Sequence, residues 1–136
     1  MPDGRTTDQV FEEVDARVRT LEQALSARDP LPLARTVDEA LALVRCLLRG
    51  YIDAHGRVDA AGDDVLELFK VFVRGDPSLN AVRDNIRELV YYRNCIDAGR
   101  EDALPVRPDA MAVRTIRHIY LYLRSRSEQE RLFRQD

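Results

Sequence analysis

Thr36-Val37-Asp38-Glu39-Ala40-Leu41-Ala42-Leu43-Val44-Arg45-Cys46-Leu47-Leu48-Arg49-Gly50-Tyr51-Ile52-Asp53 is the stretch whose reading decides the fold. Val37, Leu41, Val44, Leu47, Leu48, Tyr51 and Ile52 follow one another at the spacings of a helix. The polar strip is confined to Asp38, Arg45, Arg49 and Asp53. A helix that is apolar round most of its circumference is covered only from several sides at once. The pattern therefore predicts a central helix over about 36–55, opened by a capping box of Thr36 with Glu39.

Upstream, Asp29-Pro30-Leu31-Pro32 separates this helix from an earlier one, because proline disfavours helical geometry in the residue before it. That first helix is predicted over about 7–28, with Thr6 and Gln9 as its capping box. Its apolar positions Phe11, Val14, Val18, Leu21 and Leu25 keep a strict four-three spacing. So narrow a seam suits another helix of its own kind, which makes it the expected surface for a homodimer.

Downstream, a loop from Gly56 to Gly62 leads to a short helix over about 63–74. Val65, Leu68, Phe69 and Phe72 form its apolar face, and Gly75 is its stop. Asp76 as N-cap with Pro77 at the first helical position opens a fourth helix that runs to about Ala98 and ends at Gly99. After Ala103, Leu104, Pro105 and Pro108 comes a last helix over about 109–133. Ala112, Ile116, Ile119 and Leu123 are its seam, widened by Val113 and Tyr120. Period-two alternation between hairpin turns occurs nowhere. The expectation is an all-α, up-and-down bundle of five helices, one of them short. A single domain should span 1–136, with 1–6 as a flexible N-terminus.

Composition narrows the chemistry. The 136 residues are 45% hydrophobic and 33% charged, with a net charge of -3, which gives no general attraction to nucleic acid or an acidic membrane. Lys70 is the only lysine among 21 basic residues, an arginine bias that points to a bacterium with a GC-rich genome. Cys46 and Cys95 belong to no CxxC unit and read as free thiols of a reducing cytosol. The start shows no basic and then apolar signal segment, and no apolar run approaches the ~20 residues of a membrane span. A cytoplasmic location without membrane contact follows as the expectation.

No metal, cofactor or catalytic residue is assigned. His55, His118 and the two cysteines lack ligand spacing. Asp63, Asp64 and Glu67 read as acidic residues favoured at a helix N-terminus. Glycine-rich phosphate loops are missing. Arg117, Arg124 and Arg131 recur every seven residues, with Arg114 and His118 beside them. This stripe is either a phosphate or RNA track, near Tyr91, Tyr92, Tyr120 and Tyr122, or a solvated face. In the second and preferred reading Arg124 meets Glu128 and Glu130 meets Arg134 at i,i+4 spacing.

Arg93 stands where a hydrophobic residue is expected. The face of the fourth helix runs Leu79, Val82, Ile86, Leu89, then Arg93, then Ile96. A guanidinium on that face must find acceptors, and the expectation is a residue at least half buried and bonded to a carboxylate or helix-end carbonyls of another helix. The stretch Leu89-Val90-Tyr91-Tyr92-Arg93-Asn94-Cys95-Ile96 resembles the signature of HEPN domains, small helical bundles of toxin–antitoxin and antiphage systems. In that family an arginine, often followed by asparagine, pairs with a histidine four to six residues later and cleaves RNA without metal. Arg93 and Asn94 match, but the histidine positions hold Ala98, Gly99 and Arg100. The resemblance implies a degenerate, RNA-associated relative of such domains.

The favoured expectation is a non-enzymatic interaction or regulatory module of a bacterial cytosolic assembly, partnered by itself or by another protein. The HEPN-like reading is the alternative. Binding candidates are Arg93, Asn94, Arg114, Arg117 and His118.

Overall fold

The structure, a computed structural model, describes residues 6–56, 62–74 and 76–135, with the side chains of 132–135 outside the description. The predicted flexible start, most of the Gly56–Gly62 loop, the stop at Gly75 and the Glu130–Arg134 pair therefore lie outside the described residues. Within them the fold is all-α, with no strand. Five α-helices run α1 Thr7–Ala24, α2 Leu33–Ala54, α3 Val65–Val73, α4 Arg83–Asp97 and α5 Pro108–Gln135. Short 3-10 helices occupy Pro77–Val82 and Glu101–Ala103. None of the helices described is long and apolar enough to cross a membrane.

α2 is the hub, as its pattern predicted. Ten of its residues are buried, among them Leu43, Val44, Leu48 and Ile52 with no exposed surface. It packs against α1, α3, α4 and α5. Its start differs from expectation. The helix begins at Leu33, three residues early, with Pro32 at the cap position and no side-chain cap. Thr36 lies inside the helix, buried, and its hydroxyl donates to the Pro32 carbonyl at 3.4 Å. Glu39 is then free of capping duty and accepts from Arg17 of α1. Proline cannot donate a backbone hydrogen bond, and the first helical turn does not require one, so Pro32 opens the helix unaided.

α1 is held by the predicted Thr6–Gln9 box, with Gln9 N donating to Thr6 Oγ1 at 3.1 Å and Thr6 N to Gln9 Oε1 at 2.8 Å. The helix ends at Ala24 rather than near residue 28. The seam assigned to a second copy is corrected. Val14, Val18 and Leu21 are at most 3% exposed within the single chain, joined by Val10, while Phe11 and Leu25 pack at the edge of the same core. They face α2 and α5, which leaves no apolar seam on α1 for self-association. Val10 against Gly50 and Arg17 against Glu39 set α1 antiparallel to α2. A Cβ at Gly50 would meet Val10 Cγ1 at 3.2 Å, so the bare backbone there lets the two helices close up.

α3 carries Val65, Leu68, Phe69 and Phe72 into the core as predicted, and Asp64 caps it by accepting from Glu67 N. The fourth segment is not one helix. Asp76 and Pro77 open a 3-10 helix in which Asp76 accepts from Ser78 N, and α4 starts only at Arg83. Leu79, Val82, Ile86 and Leu89 are all buried. The end at Gly99 follows the Schellman pattern: Arg100 N donates to Cys95 O at 2.7 Å and Gly99 N to Ile96 O at 3.1 Å, with Gly99 at φ 69. On α5, Ala112, Val113, Ile116, Ile119, Tyr120 and Leu123 are buried as read from the pattern.

Candidate functional site

Arg93 lies at the margin of the core. Tyr92 and Cys95 take the inward positions between Leu89 and the chain's turn, so the face is rotated slightly from the one that would contain Arg93. Its side chain keeps 30% exposure. The guanidinium donates to Asp38 Oδ1 of α2 at 2.8 Å and grips Asp97, one turn on, through Nη2 and Nε at 2.5 and 3.3 Å. The hydrogen bonds to Asp97, offset by burial and reinforced by Asp38, raise its pKa above the ordinary arginine range. Arg93 thus bonds to a carboxylate of a different helix, as expected, and clamps α4 to α2. Asn94 is exposed and Cys95 is buried.

The stripe on α5 is divided. Arg117 is only 20% exposed, donating to Asp15 Oδ1 and Glu22 Oε1 of α1, both at 2.7 Å, and its guanidinium carbon sits 5.2 Å from the Tyr120 ring centre. Arg131 reaches Asp8 of α1 at 2.8 Å. Arg124 donates to the Tyr120 hydroxyl at 2.9 Å and lies 3.5 Å from Glu128. The contacts of Arg117 and Arg131 form a zipper between the basic side of α5 and the acidic side of α1, whereas those of Arg124 stay within α5. The order of the pairs makes the two helices antiparallel. Arg114 and His118 remain on the solvent side. The binding candidates Arg93, Asn94, Arg114, Arg117 and His118 therefore do not gather into one site.

A different constellation does gather. At the C-terminal end of α2, Tyr51 Oη donates to Glu130 Oε1 of α5 at 2.6 Å. His55 stacks on Tyr51 with ring centres 4.0 Å apart. Its Nδ1 is 2.9 Å from the Tyr51 carbonyl oxygen and its Nε2 is 2.9 Å from Glu130 Oε2. A carbonyl only accepts, so the Nδ1–H tautomer satisfies the first contact, and the second is a hydrogen bond when a proton lies between Nε2 and the carboxylate. Arg126 donates from Nε to Glu130 Oε1 at 3.3 Å, pairs with Asp76 through Nη2, and donates from Nη1 to Ser78 Oγ at 2.8 Å.

The electrostatics follow from this packing. Burial opposes the charge on Glu130, yet bonds from Tyr51, His55 and Arg126 hold its carboxyl below the usual range. Burial, and then the bond to that carboxylate, push the Tyr51 phenol well up. Asp76 is lowered chiefly by the Ser78 hydroxyl. The network ties α2, α5 and the 3-10 helix at Pro77–Val82 together. A faint signal lay in the sequence: Tyr51 with His55, and Arg126 with Glu130, each stand one helical turn apart. Comparison with protein-family models, curated proteins and solved structures finds no match.

Proposed function

We propose that this chain is a non-enzymatic interaction or regulatory module of a bacterial cytosolic assembly. The observation that carries the reading is the engagement of His55 and Arg93; the second histidine, His118, stands on the solvent side of α5, on a different helix from Arg93. A general base needs a ring nitrogen or carboxylate directed at the substrate's proton. Both nitrogens of His55 are taken up by the Tyr51 carbonyl and Glu130. Arg93, the residue that would stabilise phosphorane charge in a HEPN-like site, is held between Asp38 and Asp97. A phosphate would have to displace two carboxylates to reach it. Such engagement supports a scaffold whose polar side chains position helices, and an RNA-directed role for Arg93 and Asn94 has no comparable support.

The partner is another protein, or a second copy that uses a face other than the α1 seam. The arginine bias carries the bacterial attribution. The test has two arms. Incubation of the purified chain with a mixed RNA pool in a chelator should yield no cleavage, and cleavage that disappears in Arg93→Ala would overturn the proposal in favour of a HEPN-like nuclease. Crosslinked affinity capture from the source organism should return a partner at fixed stoichiometry that reconstitutes from purified components. Failure of every captured protein to reconstitute would count against it.

A further inference from the structure

A cavity of about 220 Å³ opens between α1, α2 and α5, beside the Tyr51–His55–Glu130 network. Val10, Phe11, Leu47 and Leu123 give it an apolar side, and Thr7 and Ser127 place hydroxyls on its lining. Tyr51, His55 and Glu130 also line it. We propose that this cavity binds a small uncharged molecule: one ring, or a short branched chain, carrying a single hydroxyl.

Size comes first. An apolar cavity of about 150 Å³ holds benzene, so this one has room for a ring and a short polar arm but not for a drug-sized ligand. Charge comes second. An anion would meet the Glu130 carboxylate, and no lysine or arginine is among the lining residues. A cation would compete for that carboxylate with Tyr51, His55 and Arg126, which already donate to it or share a proton with it. An uncharged ligand leaves the network intact and avoids the cost of burying a further charge. The apolar side then receives the ring while the hydroxyls of Thr7 and Ser127 exchange hydrogen bonds with the ligand's own. Because the lining comes from three helices, occupancy braces α1 against α2 and α5. Only its use as a regulatory signal rests on the module reading above; binding itself needs no partner.

Three probes of one shape and different charge test it: benzyl alcohol, benzylamine and benzoate, each titrated into the ¹⁵N-labelled full chain. Benzyl alcohol should produce saturable shifts centred on the amides of Gly50, Ala54 and Ser127. The two charged probes should bind at least about tenfold more weakly. Ala54 is an exposed residue of the lining, so the larger side chain of Ala54→Phe should fill the site and abolish the saturable shifts while the remaining spectrum stays native. Ser127→Ala, which keeps the cavity open, should weaken binding without removing it. Shifts that never saturate, equal binding of all three probes, or full binding by a folded Ala54→Phe variant would each overturn the assignment. None of these results would bear on whether the chain has a protein partner.

Discussion

Replacing Arg117 with methionine should cost about 2 kcal/mol of folding stability, and the figure follows from what the guanidinium touches. Hydrogen bonds to charged groups contribute about 1.5–3 kcal/mol each when shielded from water. Arg117 and Asp15 are 20% and 21% exposed, so that bond falls near the lower end of the range. Glu22 is 43% exposed, and its bond is worth about 0.5 kcal/mol after solvent screening. Asp15 is not stranded by the change, because Arg19 still reaches its other oxygen at 3.0 Å. Methionine keeps an apolar stem over the Tyr120 ring, so little packing is lost. For a domain of this size the melting temperature should drop by roughly 6–10 °C. Urea unfolding at constant m-value measures the loss, and Arg114→Met, at a solvent-facing position of the same helix, is the control expected within about 0.5 kcal/mol of wild type. An Arg117→Met loss no larger than the control's would refute the zipper between α1 and α5. The arginine stripe would then be open to phosphate.

Arg93→Ala should cost only about 1 kcal/mol, because Asp38 and Asp97 are 59% and 56% exposed and water solvates them once the guanidinium is gone; a loss above about 3 kcal/mol by urea unfolding would show a buried pair instead. Glu130 has a lowered pKa, so its contribution is present above the ordinary value of 4.5 and is lost as pH falls through the folded value. Stability measured against pH should therefore decline on the acid side, less steeply in Glu130→Gln, and parallel curves would contradict the network. Tyr51 is shifted the other way: its stabilisation is complete below the ordinary value of 10.0 and fades as pH rises beyond it. Tyr51→Phe should flatten the alkaline limb, with Tyr92, raised by burial and its bond to Glu88, accounting for part of what remains.

Much of the fold was legible because its signals are local. The apolar spacing of residues 36–55 marked the central helix, and the buried set of α5 follows the same periodicity. Thr6 with Gln9 and the stop at Gly99 were readable because a cap involves neighbours three or four residues apart. The same local logic misread Thr36 with Glu39. The motif is present, but Pro32 starts the helix a turn earlier and α1 draws Glu39 away. It also read residues 77–98 as one helix, whereas Pro77–Val82 is a 3-10 helix that ends at Val82, whose φ of -101 and ψ of 4 leave the α-helical region.

Sequence by itself determined the class of fold, the central helix and most of the core, since side-chain periodicity along one helix needs no knowledge of any other. The tertiary structure alone decided where the charges meet. Arg117 finds Asp15 across 102 residues, and Tyr51 finds Glu130 across 79. Such pairs depend on the rotation and register of two helices at once, which the packing of the whole core sets. For the same reason the α1 seam could be read as apolar but not assigned an occupant: a stripe of valines and leucines is equally suited to a second copy and to α2 and α5. Only the presence of those two helices on either side of it, closing over Val14, Val18 and Leu21, turned an expected dimer surface into the chain's own interior.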